Sequence, residues 1–429
     1  MHVAIIGSGP AGFYTAEALL KAVPGCQVDI IDRLATPYGL IRAGVAPDHQ
    51  SIKAVDKRYA ATASVPGVRF VGHVEVGIDV SMAELLGLYD AVVLATGAPH
   101  DRQLGVPGED LPGVIGSAAF VGWYNGHPDF ADLAVPLGHP GACVVGNGNV
   151  AIDVARILAK TEAELAASDI ARHTRDALAH SRIVDIHLIG RRGPYQASFT
   201  PKEMGELGHL ERAQPFVDAQ VLPPPDGDAA LEPGLRKTVG HLRAFAATPR
   251  KGLPVALTFD FLTRPVAVEA HGGHLRLIVE RTRLDGDVAV GTGELRGIDC
   301  GLIVSCIGYR TAPLAGVPFD DRAGRFVNDD GRIATGVYAT GWAKRGPSGT
   351  IGTNRPDGFA VAARIAAEVA PAGKTGAAGL DTLLAARGVD AVSFDHWRRI
   401  DAAEIAAARP GAPREKFVRR DHFIAAARR

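Results

Sequence analysis

Two glycine-rich loops in one chain constrain its fold more than any other feature. The loop GSGPAG (Gly7 to Gly12) follows the apolar run HVAII and precedes FYTAEALLKA, whose apolar residues recur at helical spacing. The loop GNGNVA (Gly146 to Ala151) has the same context, with GACVV before it and IDVARILAK after it. A buried strand, a glycine turn and a helix in this order are typical of a dinucleotide-binding unit. Two such units predict two bound nucleotides and electron transfer between them.

The first loop carries the three glycines that a bound pyrophosphate requires. Gly7 permits the tight turn, Gly9 lets the backbone approach the phosphates, and Gly12 lets the helix pack on the strand. The next strand-like run, VDII, ends in Asp32, whose carboxylate can accept hydrogen bonds from ribose hydroxyls. A glycine-rich surface turn is the alternative, and the strand, the helix and Asp32 together disfavour it.

The second unit ends in positive rather than negative charge, and this difference selects the nucleotide. After the second loop, the run IVDIHLIG is followed by Arg191 and Arg192. Two guanidinium groups can bind the 2′-phosphate of NADP through bidentate hydrogen bonds, whereas a carboxylate such as Asp32 repels a phosphate. A solvated loop is the alternative for an arginine pair taken alone. The two strand ends therefore predict FAD at the first loop and NADP(H) at the second.

Length and composition agree with an α/β protein of two doubly wound, Rossmann-like domains. The chain has 429 residues, of which 47% are hydrophobic, enough to fill two cores. The formal net charge of −1 gives no overall field that would attract nucleic acid or a membrane. No apolar run reaches the roughly 20 residues of a membrane span, and the first strand begins at once, so we expect a cytoplasmic protein without a targeting segment.

The cysteines exclude two kinds of redox chemistry. None of the four forms a CxxC pair, which argues against a redox-active disulfide and against an iron–sulfur cluster held by this chain. We expect no metal site, and we expect each cysteine to be a small buried apolar side chain. They are Cys26, Cys143, Cys300 and Cys306.

Strand-like runs that end in glycine indicate the order of the domains. DAVVLATGA closes the first nucleotide-binding segment, GLIVSCIGYR closes the second, and GVYATGWAKRG then returns to a strand and a glycine loop. We therefore predict an FAD domain of residues 1–100 and 308–429, with an NADP domain of residues 101–307 inserted in it. The tail, which includes FDHWRRIDAAEIAAARPG and VRRDHFIAAARR, is expected to be a solvated surface helix and a frayed terminus.

Five motifs resemble those of adrenodoxin reductase and its bacterial relatives, the NADPH:ferredoxin reductases. They are GSGPAG, ATPYGLIRAGVAPDH, GNGNVAIDVARIL, IGRRGPYQASFTPKE and ATGWAKRGPSGTIGTN, and they extend over nearly the whole chain. Related disulfide reductases carry Asp where this chain has Trp342, and the similar glutamate synthase small subunit carries N-terminal cysteine clusters that are absent here. The resemblance implies that NADPH gives a hydride to FAD and that electrons then pass singly to a 2Fe-2S ferredoxin.

The resemblance also implies the residues that contact FAD. Leu40 in PYGLIRAG would lie close to the flavin, and a loop with Gly346, Gly349 and Gly352 would allow the backbone to approach a flat ring. The alternative for this loop is a mobile surface turn. The expected FAD contacts are Gly7, Gly9, Pro10, Ala11, Gly12, Asp32, Leu40, Gly97, Trp342, Gly349, Thr350 and Ile351.

On the NADP side, the resemblance implies catalytic as well as binding residues. The candidate catalytic residues are His49, Glu206 and Asp153. His49 and Glu206 are expected to form a pair that positions the nicotinamide or tunes proton exchange, and a purely structural pair is the alternative. The expected NADP contacts are Gly146, Asn147, Gly148, Asn149, Val150, Arg191, Arg192, Glu203 and Gly349.

The motifs also bear on how the electron acceptor docks. Where many relatives read ELRE, this chain reads EMGE, so Gly205 replaces a basic residue associated with docking of the acidic iron–sulfur partner. We expect a local basic patch of Arg42, Lys344 and Arg345 to attract a ferredoxin to a monomeric protein. Alternatives are an NADPH diaphorase or quinone reductase, and a flavin-binding electron-input subunit of a larger complex.

Overall fold

The computed structural model describes every residue from Met1 to Arg429. The chain forms two compact units. The first comprises residues 1–100, 125–131 and 309–429, and the second comprises residues 101–124 and 132–308. Residues 125–131 carry no sequence signal that would have assigned them to the first unit.

The chain up to Asp101 alternates strands and helices. In order they are β1 (His2–Ile6), α1 (Pro10–Ala22), β2 (Gln27–Asp32), α2 (Leu40–Ala43), α3 (Gln50–Lys53), α4 (Asp56–Ala63), β3 (Val68–Gly72), α5 (Met82–Leu88), β4 (Ala91–Leu94) and β5 (His100–Asp101).

The middle of the chain repeats this alternation and then adds three long strands. Its elements are β6 (Val114–Gly116), α6 (Ser117–Asn125), β7 (Gly141–Val145), α7 (Asn149–Ala159), α8 (Glu162–Leu165), α9 (Arg172–Ala179), β8 (Asp185–Gly190), α10 (Pro201–Leu207), β9 (Ala213–Val217), α11 (Pro233–Ala247), β10 (Val255–Phe261), β11 (Thr263–His271), β12 (His274–Asp285), β13 (Val288–Cys300) and β14 (Leu302–Ser305).

The last part of the chain has short strands followed by helices. They are β15 (Tyr309–Arg310), β16 (Phe319–Asp320), β17 (Arg325–Phe326), β18 (Arg332–Ala334), β19 (Val337–Ala339), α12 (Trp342–Arg345), α13 (Asn354–Glu368), α14 (Ala377–Ala386), α15 (Phe394–Ala406) and α16 (Arg420–Ala427). None of the helices in the protein combines the length and the apolarity needed to cross a lipid bilayer.

The first unit is built on a six-stranded sheet in the order β18-β19-β4-β1-β2-β3. All neighbours are parallel except β18, which runs antiparallel to β19. The central strand β1 is apolar along its length, and Val3, Ala4 and Ile5 are fully buried because helices cover both faces. Strand order reverses beside β1, so the carboxyl ends of β1 and β4 border a crevice of the kind that binds ligands.

The second unit repeats this design. Its six strands, in the order β6-β14-β7-β8-β10-β9, are all parallel, and β7 and β14 border the corresponding crevice. A separate antiparallel sheet, β11-β12-β13, packs its apolar face on the core. Cys26 in the first unit and Cys143 and Cys300 in the second are buried as expected, but Cys306 is half-buried because it lies past the end of β14. The fold class predicted from the sequence is confirmed.

The C-terminal tail differs from the expectation. The predicted helix is present as α15, but α16 is a second ordered helix that packs against it. Phe423, Ala426 and Ala427 are at most 4% exposed and join the core of the first unit with Trp397 and Ile400. The expectation of a frayed terminus was wrong because these apolar residues share one helix face, whereas it was based on the basic residues Arg419, Arg420, Arg428 and Arg429 that flank them.

Candidate functional site

The first glycine loop makes a turn that only glycine can occupy. Gly7 has φ of +108°, and a β-carbon there would lie 2.4 Å from the carbonyl oxygen of Ala95, at the end of β4. A β-carbon on Gly12 would lie 2.1 Å from the carbonyl oxygen of Gly7. Gly9 caps α1 without a side chain, and Pro10 follows it. The first-turn amides and the positive end of α1 therefore lie open at the carboxyl edge of the sheet.

Asp32 is fixed beside this loop. Its Oδ2 accepts hydrogen bonds from the backbone N–H of Ser8 at 2.8 Å and from the Ser8 hydroxyl at 2.6 Å. Its Oδ1 accepts a bond from the N–H of Leu34 at 2.9 Å. Each carboxylate oxygen can accept further bonds, so Asp32 can still receive ribose hydroxyls. The geometry fits the nucleotide role that the sequence predicts for this residue.

The segment PYGL folds directly over the loop. Tyr38 donates its N–H to the carbonyl of Ser8 at 2.9 Å, and a β-carbon on Gly39 would lie 2.9 Å from the Cα of Gly9. Tyr38 and Gly39 both have positive φ, at 84° and 49°. Leu40 then begins α2 with 42% of its surface exposed, so this large apolar side chain is open to a ligand or to solvent.

Two further residues of the first unit fit a bound flavin nucleotide. Thr96 and Thr340 have buried hydroxyl oxygens without a hydrogen-bond partner in the chain. Each is the middle residue of an ATG turn, one after β4 and one after β19. A buried hydroxyl without a partner costs free energy, so these two groups are suited to a polar ligand. The repeated ATG tripeptide is the sequence signal that could have identified them.

The loop after the second ATG turn is well supported. Gly341, with φ of 59°, faces α1, and a β-carbon there would lie 2.6 Å from the Cβ of Ala11. The indole N–H of Trp342 donates to the carbonyl of Ser348 at 3.0 Å, and its ring stacks on Tyr309. Gly349 has φ of +80° and packs on Thr353, in the short 3-10 turn Ile351–Thr353.

The expected basic patch of Arg42, Lys344 and Arg345 is absent, because each of these cations is paired with a carboxylate of the chain. Lys344 contacts Asp330 at 2.6 Å, and Arg345 forms an ion pair with Asp357. Their side chains are 13% and 20% exposed. This part of the prediction was wrong because the neutralising carboxylates come from segments that are not adjacent in the sequence.

Arg42, the third residue of that patch, is buried. Its guanidinium donates to both oxygens of Glu404 at 2.9 and 2.5 Å, and the two side chains are 9% and 0% exposed. The cation also lies 5.3 Å from the ring centroid of Trp397 and 5.7 Å from that of Phe423. Arg42 therefore joins α2 to the C-terminal helices rather than facing a partner.

The second glycine loop has the same construction as the first. Gly146 has φ of 150°, donates its N–H to the carbonyl of Ile189 at 2.9 Å, and would place a β-carbon 2.4 Å from the carbonyl oxygen of Cys306. Gly148 caps α7 without a side chain. The Oδ1 of Asn147 is buried without a partner, which fits a polar ligand at this loop. Asn149 accepts a bond from the N–H of Thr200 at 2.8 Å, and Val150 follows it in α7.

Asp32 is the last residue of β2, and Arg191 and Arg192 directly follow β8; each of these strands lies next to its loop strand. Their backbone is held by other segments: the Thr282 hydroxyl donates to the Arg191 carbonyl at 2.7 Å, and the Leu262 N–H donates to that of Arg192 at 3.2 Å. Arg191 is exposed, Arg192 is half-buried, and neither guanidinium is paired with a carboxylate of the chain. Two cations are thus available to an anion from outside.

The candidate catalytic residues belong to both units. His49 is buried in the first unit, 6% exposed, at the start of α3. In the second unit, Asp153 on α7 accepts a hydrogen bond from Arg156 at 2.7 Å, and Glu206 on α10 lies 3.5 Å from the Nε of the same guanidinium. Glu203, one turn earlier in α10, is buried at 7% exposure. Arg156 was not predicted from the sequence, although its place in IDVARIL, one turn after Asp153, is a usable signal.

Two Rossmann-like units, each with a glycine loop at the switch point of its sheet, define a dinucleotide-dependent oxidoreductase. In agreement, the sequence profile of the family "Pyridine nucleotide-disulphide oxidoreductase" matches residues 1–193. The chain is also similar along its full length to proteins of one branch. It belongs to the NADPH:adrenodoxin oxidoreductase and NADPH-ferredoxin reductase family.

Three relatives support this assignment. The mitochondrial NADPH:adrenodoxin oxidoreductase of Arabidopsis thaliana is 40% identical, with 100% of this chain and 95% of the relative covered. The NADPH-ferredoxin reductase FprA of Mycobacterium leprae is 41% identical, with 97% and 96% covered. The structure of Mycobacterium tuberculosis FprA in complex with NADPH is 39% identical and superimposes with a TM-score of 0.94, with 100% of this chain and 99% of that chain covered.

Proposed function

We propose that this protein is an FAD-dependent oxidoreductase that takes a hydride from NADPH and delivers electrons to a ferredoxin. The observation that carries the proposal is the opposite charge at the ends of two corresponding strands: Asp32 is the last residue of β2, beside the first loop, and Arg191 and Arg192 directly follow β8, beside the second. A carboxylate suits free ribose hydroxyls, and a guanidinium pair suits a 2′-phosphate. The family to which the chain belongs supports the same assignment.

In the first unit, we assign FAD to the glycine loop, Asp32 and the two ATG turns. The open amides at the start of α1 would bind the pyrophosphate, and the ribose would bind Asp32. The hydroxyls of Thr96 and Thr340 are added to the predicted contacts because they are buried without a partner. The contacts retained from the sequence are Gly7, Gly9, Pro10, Ala11, Gly12, Leu40, Gly97, Trp342, Gly349, Thr350 and Ile351.

In the second unit, we assign NADP(H) to the second loop and the arginine pair. The α7 N-terminus would bind the pyrophosphate, the buried Asn147 amide would hold the loop against it, and Arg191 and Arg192 would bind the 2′-phosphate. Glu203 and Gly349 are retained as contacts of the nicotinamide end. The remaining contacts are Gly146, Gly148, Asn149 and Val150.

When bound, FAD supplies the step from two-electron to one-electron chemistry, and the protein supplies geometry and charge. Asp153 and Glu206 would hold negative charge beside the nicotinamide, which is neutral as NADPH and positive as NADP⁺, so they stabilise the charge that develops as the hydride leaves. His49, buried in the first unit, would exchange a proton at an imidazole nitrogen.

We propose an acidic 2Fe-2S ferredoxin as the electron acceptor. Because Arg42, Lys344 and Arg345 are neutralised, the docking charge must come from cations without an internal carboxylate. Lys202 in α10 and Arg236 and Lys237 in α11 are exposed and have no such partner, and α10 also carries Glu203 and Glu206. We therefore assign docking to this charged edge of the second unit.

The alternative enzyme is an NADPH diaphorase or quinone reductase. The alternative that is not an independent enzyme is a flavin-binding electron-input subunit of a larger complex. The purified protein should be yellow and release FAD on heating. It should also reduce cytochrome c only when a ferredoxin is added. Reduction of quinones without any stimulation by ferredoxin would favour the diaphorase, and a stoichiometric partner on purification would favour the subunit. The cytoplasmic location and the monomeric state stay predictions.

A further inference from the structure

Arg156 is a fully buried cation at the contact between α7 and α10. Only 1% of its surface is exposed. One terminal N–H donates to Asp153 Oδ1 at 2.7 Å, and Nε lies 3.5 Å from Glu206 Oε2. Burying a guanidinium is costly unless carboxylates accompany it, so a core position held by arginine calls for a specific role.

The two helices joined by Arg156 are also joined at their N-terminal ends. Asn149, the first residue of α7, accepts a hydrogen bond from the N–H of Thr200, which caps α10. Two polar connections therefore fix α10 along α7, and α7 begins at the glycine loop. The Glu206 carboxylate is in this way held at a set place relative to the second nucleotide site.

Asp153 lies near the same loop. The half-buried Cys306, whose carbonyl packs against Gly146, has a raised thiol pKa, chiefly because of burial and then of Asp101, with Asp153 adding to the effect. Asp153 also lies in the second turn of α7, which begins directly after Gly148 of the loop, so it is close to the carboxyl edge of the sheet at the crevice between β7 and β14. Its side chain is 15% exposed and that of Glu206 is 30% exposed, so both carboxylates are partly accessible while Arg156 is not.

We propose that Arg156 is a positioning residue that keeps the carboxylates of Asp153 and Glu206 ionised and fixed beside the nicotinamide half of NADP. This inference rests on the proposed function. A cation in contact with a carboxylate favours its charged form, so Arg156 keeps these carboxylates ionised to lower pH than they would be alone. In this proposal Arg156 acts on the nicotinamide through the carboxylates of Asp153 and Glu206.

The test compares Arg156→Met with Arg156→Lys, each with Glu206 intact and with Glu206→Gln. NADP⁺ affinity is measured against pH by the change in flavin absorbance, and thermal unfolding is measured against pH without nucleotide. In Arg156→Met the pH midpoint of the titration due to Glu206 should rise by about one to three pH units, both in the NADP⁺ affinity profile and in the thermal-stability profile. In the Glu206→Gln background this rise should disappear. The 2′-phosphate of NADP⁺ titrates in both backgrounds, so its contribution cancels when they are compared.

Arg156→Lys separates charge from geometry. The ammonium keeps the positive charge, so the midpoint should stay where it is in the unaltered protein, but it cannot reach both carboxylates as a fork and NADP⁺ affinity should fall roughly tenfold. If Arg156→Met does not fold, the proposal is tested by Arg156→Lys alone: its loss of NADP⁺ affinity should be absent when Glu206 is also changed to Gln. Unshifted midpoints in a folded Met variant, or a Lys variant identical to the unaltered protein, would overturn it. Failure of the proposed function is distinct, since the unaltered protein would then bind no NADP⁺.

Discussion

Gly12 packs against the carbonyl oxygen of Gly7 so closely that a β-carbon on Gly12 would lie 2.1 Å from that oxygen. Gly12→Ala should therefore displace α1 from the loop, costing about 3 kcal/mol in the free energy of unfolding, and the protein should lose FAD. Urea denaturation and flavin content check this. The control is Gly87→Ala on the exposed side of α5, where no atom lies within 4 Å of the added carbon, and where about 0.5 to 1 kcal/mol of stabilisation is expected. A yellow, fully stable Gly12→Ala protein would contradict the role of this loop.

Arg191 and Arg192 should determine the choice of nicotinamide cofactor. Hydrogen bonds to charged groups contribute about 1.5 to 3 kcal/mol each, so changing both residues to Ala should reduce the NADPH preference in kcat/KM by at least roughly 100-fold. The rate with NADH should change little, since NADH has no 2′-phosphate. Steady-state kinetics with both cofactors measure the ratio, and Arg322→Ala, an exposed arginine of the first unit, is the control. Equal use of NADH and NADPH by the unaltered protein would refute the assignment.

His127 should make the protein less stable in acid. Its side chain is 13% exposed, and burial lowers its pKa to about 4, with Asp129 opposing and Arg33 and Arg420 adding to the shift. Because the pKa is lower in the folded than in the unfolded protein, stability is complete above pH 6.5 and falls as the pH drops toward 4, by about 3 kcal/mol at most.

His127→Gln retains a hydrogen-bond acceptor for the Asp129 N–H and should flatten this part of the stability curve. Denaturation between pH 4 and 8 measures it. His180→Gln, on the exposed end of α9, reports the effect of removing a surface histidine. If the free energy of unfolding depends on pH equally in both variants and in the unaltered protein, His127 is not the cause of the acid sensitivity.

Arg42 and Glu404 should behave as a buried pair. Arg42→Met leaves Glu404, which is 0% exposed, without its bidentate partner; the Phe417 N–H at 2.9 Å and Arg414 at 3.6 Å remain beside it, so the cost should be about 3 kcal/mol. The double variant Arg42→Met/Glu404→Leu should be more stable than the Arg42→Met protein, because the buried carboxylate that lost its partner is then removed as well. The surface pair Arg398 and Asp395, 59% and 79% exposed, is the control and should show almost no coupling. A double-mutant cycle by urea denaturation decides between these outcomes.

Arg236 and Lys237 should govern the rate at which ferredoxin docks. Changing both to Glu should lower ferredoxin-dependent cytochrome c reduction roughly tenfold at low ionic strength, and the difference should shrink as salt screens the charges. The double variant Lys57→Glu/Arg322→Glu, at two exposed cations of the first unit, makes the same change in net charge and is the control, and ferricyanide turnover measured in parallel reports electron transfer within the protein. A salt-independent rate in the unaltered protein would remove the electrostatic docking hypothesis.

The sequence was sufficient for the fold class and the family, because both glycine loops are local motifs whose spacing encodes strand, turn and helix. It was insufficient wherever distant segments meet. Nothing near Arg42 in the chain predicts Glu404, and nothing near Lys344 predicts that Asp330 neutralises it. Thr96 and Thr340 could have been identified from the repeated ATG tripeptide, but only the sheet order shows that their two strands are neighbours.

The discontinuity of the first unit has a consequence for synthesis of the protein. Residues 101–308 contain all of the second unit, whereas the first needs β19, α13 and the C-terminal helices to complete its sheet and core. Domains fold as units during translation, in the order in which their residues emerge from the ribosome. The second unit can therefore fold while the sheet of the first unit still lacks β18 and β19. FAD should therefore bind only after the C-terminal residues have been synthesised and the first unit is complete.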